Sequence, residues 1–105
     1  MEGSDVPRIT ADIMEEICEI AEKSARRFLL SKIPSNRLRD IDFSINVEGD
    51  IPLNVEMELK VTLTRTHARE VLSQVNLEEL IDEALKRAFT AVESYLRDRR
   101  LGYSL

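Results

Sequence analysis

From Leu53 to Thr64 apolar and polar residues alternate without a break: Leu53, Val55, Met57, Leu59, Val61 and Leu63 against Asn54, Glu56, Glu58, Lys60, Thr62 and Thr64. Period two is the pattern of a strand with one face buried and one face wet. A shorter upstream run repeats it, with Ile41, Phe43, Ile45 and Val47 alternating with Asp42, Ser44, Asn46 and Glu48. Glu48-Gly49-Asp50 separates the two runs, and Gly49 is free to take positive φ. Pro52 marks the start or edge of the second strand. So short a connection predicts an antiparallel hairpin. Its register is well specified, because both strands place their apolar set on one face.

The hairpin is flanked by helical periodicity. Ile13, Ile17, Ala21, Ala25 and Phe28, with Met14, Cys18, Ile20 and Leu29, form an apolar stripe about half a helix circumference wide. Thr10 or Asp12 can cap this helix, Asp12 and Glu15 having capping-box spacing. Pro34 disfavours helical geometry at Ile33, so the helix stops near Ser31 or Lys32. Pro34-Ser35-Asn36 is turn chemistry. Downstream, Asn76 caps a second long helix, with Glu79 at the capping-box position. Its stripe runs through Leu77, Leu80, Ile81, Ala84, Leu85, Ala88, Phe89, Val92, Tyr95 and Leu96, and Gly102 is placed to end it. Five pairs stand four apart in the favourable order: Glu19 with Lys23, Glu22 with Arg26, Asp82 with Lys86, Glu83 with Arg87 and Glu93 with Arg97. Between hairpin and second helix, His67 to Gln74 reads as either a short helix or an irregular connector.

The expected architecture is a single α+β domain over residues 1–105, in the order α-β-β-α, with two long helices on one face of an antiparallel hairpin. A helix of about 22 residues is ~33 Å long and a strand of about 11 is ~36 Å, so the elements match. Two strands make a narrow sheet with two unprotected edges. A homodimer that joins two hairpins into four strands is the simplest remedy.

Composition narrows the setting. The chain has 105 residues, 43% of them apolar and 33% charged, with 3 Gly and 3 Pro. That suits one small core. High charge of both signs with little loop chemistry is a composition thermophiles favour. The net charge of −5 argues against general attraction to nucleic acid or anionic membrane. The lone Cys18 excludes an intramolecular disulfide and a Cys-rich zinc site, and suits a reducing cytoplasm. Met1 to Thr10 lacks the apolar run of a signal peptide. No stretch reaches the ~18 apolar residues of a membrane span. The expectation is a cytoplasmic protein without a membrane segment.

Candidate chemistry is sparse. Asp42, Glu48, Glu56 and Glu58 with Lys60 share the wet sheet face, but alternation alone demands polar residues there. No calcium loop, P-loop, Gly-rich dinucleotide motif or nucleophile elbow is present. His67 is the only histidine, and a Cys18–His67 pair would need the connector to reach mid-helix. No catalytic residue, cofactor or metal ligand is assigned. Lys23, Arg26, Arg27 and Lys32, continued by Arg37 and Arg39, crowd the end of the first helix, while Arg97, Arg99 and Arg100 end the second. The helix dipole explains cations there. The functional reading of Lys23, Arg26, Arg27, Arg37 and Arg39 is an RNA or phosphate contact. It lacks interleaved aromatics, Tyr103 being too little.

The alternating run Ile41 to Glu48, the stretch INVEGDIPLNVEMELKVTL and the helix NLEELIDEALKRA resemble a small archaeal family of uncharacterised proteins with helix–hairpin–helix order over nearly the whole chain. The resemblance implies that fold and no assigned activity. The leading functional expectation is a non-enzymatic protein-interaction or assembly module forming a homodimer, with a protein partner. The alternative is an RNA-associated accessory protein that binds through the basic residues named above.

Overall fold

The computed structural model describes residues 10–48 and 54–98. Helix α1 spans Ala11–Lys32, strand β1 Leu38–Glu48, strand β2 Asn54–Leu63, a short helix α2 Ala68–Gln74, and helix α3 Leu77–Asp98. A single 3-10 turn, Ser35–Arg37, joins α1 to β1. The α+β order α-β-β-α is therefore observed, with α2 added. Leu53, the hairpin turn at Gly49, Pro52, the helix stop at Gly102, and Arg99, Arg100 and Tyr103 lie outside the described residues.

Thr10, rather than Asp12, caps α1: its Oγ1 accepts the Ile13 N–H at 3.2 Å, and Asp12 lies inside the first turn. At the other end the Ile33 N–H still bonds Leu29 O at 2.8 Å, but Ile33 itself is extended, at φ −124 and ψ 122. That is the conformation a following proline imposes. The Asn76 side chain accepts the Glu79 N–H at 3.2 Å and so begins α3.

The strands pair antiparallel in one register, Ile41 opposite Val61, Phe43 opposite Leu59, Ile45 opposite Met57 and Val47 opposite Val55. β1 starts three residues earlier than its alternation suggests, and a bulge interrupts the register between Leu38 and Asp40. Thr64 N–H donates to Arg37 O at 2.9 Å, which sets the phase of the antiparallel ladder. Because bonded and non-bonded pairs alternate, the backbone N–H and C=O of even-numbered β2 residues point to β1 and those of odd-numbered ones, Val55 to Leu63, point to the opposite edge, which no other described residue pairs with.

The core lies between the helices and over mid-ribbon. Ile17, Ala21, Ala25, Phe28 and Leu29 of α1 meet Ala84, Ala88, Val92 and Leu96 of α3 and Leu59 of β2 in one buried cluster. Small residues at the α1–α3 seam bring the backbones close enough for Ser24 Oγ to donate to Arg87 O at 3.2 Å. Among the described residues no polar or charged side chain is buried. Of the ribbon's inward-facing residues only Leu59 is buried, at 7% exposure; Ile41, Phe43, Ile45, Val47, Val55, Met57 and Val61 are half-buried. The molecule measures 60 × 18 × 17 Å with a radius of gyration of 16.4 Å. A compact chain of this length would have about 13 Å, so the fold is a rod, and rods expose much of their apolar surface.

Candidate functional site

The wet face of the ribbon comes out as a dispersed field of charge. Asp42 stands opposite Lys60, Glu58 opposite Ser44, Glu56 opposite Asn46, and Glu48 opposite Asn54. No two of these carboxylates are directly opposed, so the register offers no facing pair to a cation. Among the described residues no group of three or more His, Cys, Asp or Glu is placed to hold a metal ion.

Cys18 and His67 are far apart. The cavity at the far end of α1 is lined by Ile33 together with Val71, Gln74 and Val75 of the α2 region, which begins at His67. The fifteen residues from Cys18 to Ile33 span about 22 Å of helix axis. Cys18 is half-buried. Burial, and then the neighbouring carboxylates of Glu15 and Glu22, push its thiol above the usual thiol range. A protonated thiol is the reverse of an activated nucleophile. His67 occupies the residue before α2, where its Nδ1 lies 3.0 Å from Thr64 Oγ1 and 3.2 Å from Thr66 Oγ1. These contacts fix a turn.

The basic residues divide into two groups. Arg37 is drawn to α2, where its Nε donates to Glu70 Oε1 at 2.7 Å. That pair rims a cavity of about 340 Å³ whose apolar lining is Ile33, Pro34, Val71 and Val75. Lys23, Arg26, Arg27 and Leu30 stand at i, i+3, i+4 and i+7 on one exposed face of α1. Arg26 and Leu30 line a second cleft, of about 310 Å³, with Ser35, Leu38, Arg39, Asp40 and Ile41. Arg26 is held there by Glu22, at 2.6 Å. Arg26 and Arg39 thus line one cleft, with Lys23 and Arg27 on the same exposed face of α1, while Arg37 lines the neighbouring cavity with Glu70. Periodicity cannot reveal that, because the bulge that aims Arg39 breaks the period.

Two further cations serve the core. Lys32 Nζ lies 5.9 Å and the Arg87 guanidinium 4.5 Å from the Phe28 ring centroid. Of the expected four-apart pairs, Glu22–Arg26 at 2.6 Å and Glu83–Arg87 at 3.1 Å form ion pairs. No helix among the described residues is long and apolar enough to cross a membrane.

Comparison with known proteins places this geometry. A family model described as "Protein of unknown function (DUF3194)" matches residues 6–95. An uncharacterised protein of Pyrococcus furiosus is 25% identical over 92 residues, covering 88% of this chain and 78% of its own length. An uncharacterised protein of Thermococcus kodakarensis is 26% identical over 93 residues, covering 89% and 81%. The solution structure of a hypothetical protein from Methanothermobacter thermautotrophicus shares the fold with a TM-score of 0.69 at 24% identity, covering 89% of this chain and 94% of that one. A crystal structure from Thermococcus onnurineus gives 0.67 at 23% identity, covering 90% and 86%.

Proposed function

The chain belongs to the DUF3194 family, and from the geometry of its ribbon we propose that it is a non-enzymatic protein-interaction module, a homodimer joined along unpaired strand edges. One observation carries the reading. Among the described residues the sheet has two strands and nothing pairs with either outer edge, and the inward-facing residues beside those edges, Leu59 excepted, keep apolar area open to solvent. Pairing an edge satisfies exposed N–H and C=O groups and buries that area together.

The helix layer constrains how copies meet. Two helices at 8–10 Å spacing make a layer about 20 Å wide. Two strands cover about 10 Å. Four helices abreast are therefore wider than a four-stranded sheet, and a dimer has to accommodate that excess width where the edges meet. Light scattering after size exclusion tests the reading: a dimer at low micromolar concentration is expected, and a clean monomer there contradicts it.

The RNA reading draws less support from the same residues. Arg37 is committed to Glu70, Arg26 is paired with Glu22, and the chain carries −5. Under that reading, Arg26→Glu with Arg27→Glu removes a salt-dependent RNA affinity; binding that survives the double change rules these residues out.

A further inference from the structure

The cleft between the end of α1 and the β1 bulge is a second surface, with chemistry different from the strand edges. Its lining includes three apolar side chains, Leu30, Leu38 and Ile41. Leu30 is 42% exposed, one of two large hydrophobic residues that are clearly exposed among the described residues. Cations surround it. Arg26 lines the same cleft from α1 and Arg39 from the bulge, while Lys23 and Arg27 continue the exposed α1 face. The helix dipole accounts for cations at a helix end. It does not account for a leucine held open among them, nor for an arginine brought to the same cleft from a strand.

We propose that this cleft binds an acidic amphipathic segment of a partner protein, one apolar side chain entering between Leu30, Leu38 and Ile41 while flanking carboxylates meet Arg39 and, on the exposed α1 face beside Leu30, Arg27. Charge complementarity selects the class. Guanidinium groups pair with carboxylates in a planar, two-point geometry. The apolar floor selects against a bare polyanion, because a phosphate backbone has nothing to place there, and no aromatic ring lines the cleft for a base to stack on. Asp40 in the lining and Glu22 on Arg26 offset two of the positive charges, so the excess positive charge of this surface is that of Lys23 and Arg27 on the exposed α1 face. That favours a short segment with a few carboxylates over a long polyanion. The proposal stands apart from the dimer reading: it needs a free cleft and works equally in a monomer.

The test uses the full chain and a capped, fluorescein-labelled 14-residue peptide with leucines at helical spacing and glutamates elsewhere. Comparison ligands are the same peptide with Gln for Glu and a 14-nucleotide uridine RNA. Anisotropy is read at low and at physiological salt. The acidic peptide is expected to bind, and the Gln peptide to bind about tenfold more weakly. Leu30→Ser is expected to weaken binding about fivefold. Arg39→Glu is expected to weaken it about tenfold, with most of the affinity retained in Arg39→Lys. Both positions are exposed, so an unchanged circular dichroism melt verifies that each variant is folded. Amide shifts at Leu30, Leu38 and Arg39 on adding peptide to the wild type supply a second reading. Absence of binding up to millimolar peptide overturns the proposal, as does affinity indifferent to Leu30→Ser. An RNA oligomer that binds more tightly than the peptide, and loses affinity in Arg39→Glu while ignoring Leu30→Ser, overturns it in favour of a phosphate contact.

Discussion

Leu59 faces the helices from the middle of β2, and it is where the ribbon is fastened to the rest of the molecule. It is the one ribbon residue in the fully buried cluster, opposite Phe43. Leu59→Ala is expected to cost about 2–5 kcal/mol in urea unfolding, because the lost contacts are not replaced by water. Val55→Ala, at a half-buried position near the hairpin end, should cost distinctly less. Tyr95 makes a different contribution, its hydroxyl donating to a Glu16 carboxylate oxygen across the two helices. Tyr95→Phe removes a charge-assisted bond at a partly exposed site, and about 1 kcal/mol is expected after allowing for solvent. Cys18 gives a pH signature. Its folded thiol pKa lies above the usual range, so the native state holds the proton more tightly than the unfolded chain. That contribution is fully present below the ordinary thiol pKa and is lost as pH rises through the raised value. Iodoacetamide should therefore alkylate native Cys18 more slowly than the urea-unfolded chain at pH 8, with the half-maximal rate displaced to higher pH.

At the scale of elements, the α1–α3 seam explains why two wide apolar stripes lie so close together. Ala21, Ala25, Ala84 and Ala88 are all at most 1% exposed. A larger side chain at this seam forces the helices apart, and Ala88→Leu is expected to destabilise by about 1–3 kcal/mol or more, read from the melting temperature. The long helices and the hairpin were legible from periodicity, because each buries one face and the period records it. Thr10 and Asp12 were both plausible caps from residue type alone; where the chain turns into the helix decides between them. The helix α2 was only half legible. Ala68, Val71, Leu72 and Val75 have helical spacing, but seven residues are too few to be helical by propensity. What holds them is tertiary: Val71 is buried at 4% exposure beside Ile33, and Glu70 is tied to Arg37. The bulge that brings Arg39 to the α1 cleft was invisible for a similar reason. It has no compositional signal, and only the pairing of Leu38 with Leu63 and Asp40 with Thr62 reveals it.

At the scale of the whole molecule, the rod has its covered faces between the helices and its open ones along the ribbon. Alternation along β2 made the buried face legible, whereas the fate of the edge depends on what a second chain does. The most direct measurement is hydrogen exchange at individual β2 and β1 amides across a range of protein concentration, with mass followed by light scattering. In every condition the amides of Glu56, Glu58, Lys60 and Thr62 should be protected by β1. The edge-facing amides of Val55, Met57, Leu59 and Val61, or of Phe43, Ile45 and Val47 on the other edge, should exchange quickly in dilute samples. A contiguous part of one of these sets is expected to become protected as the mass doubles. A mass that stays monomeric while both sets keep their fast exchange would contradict it.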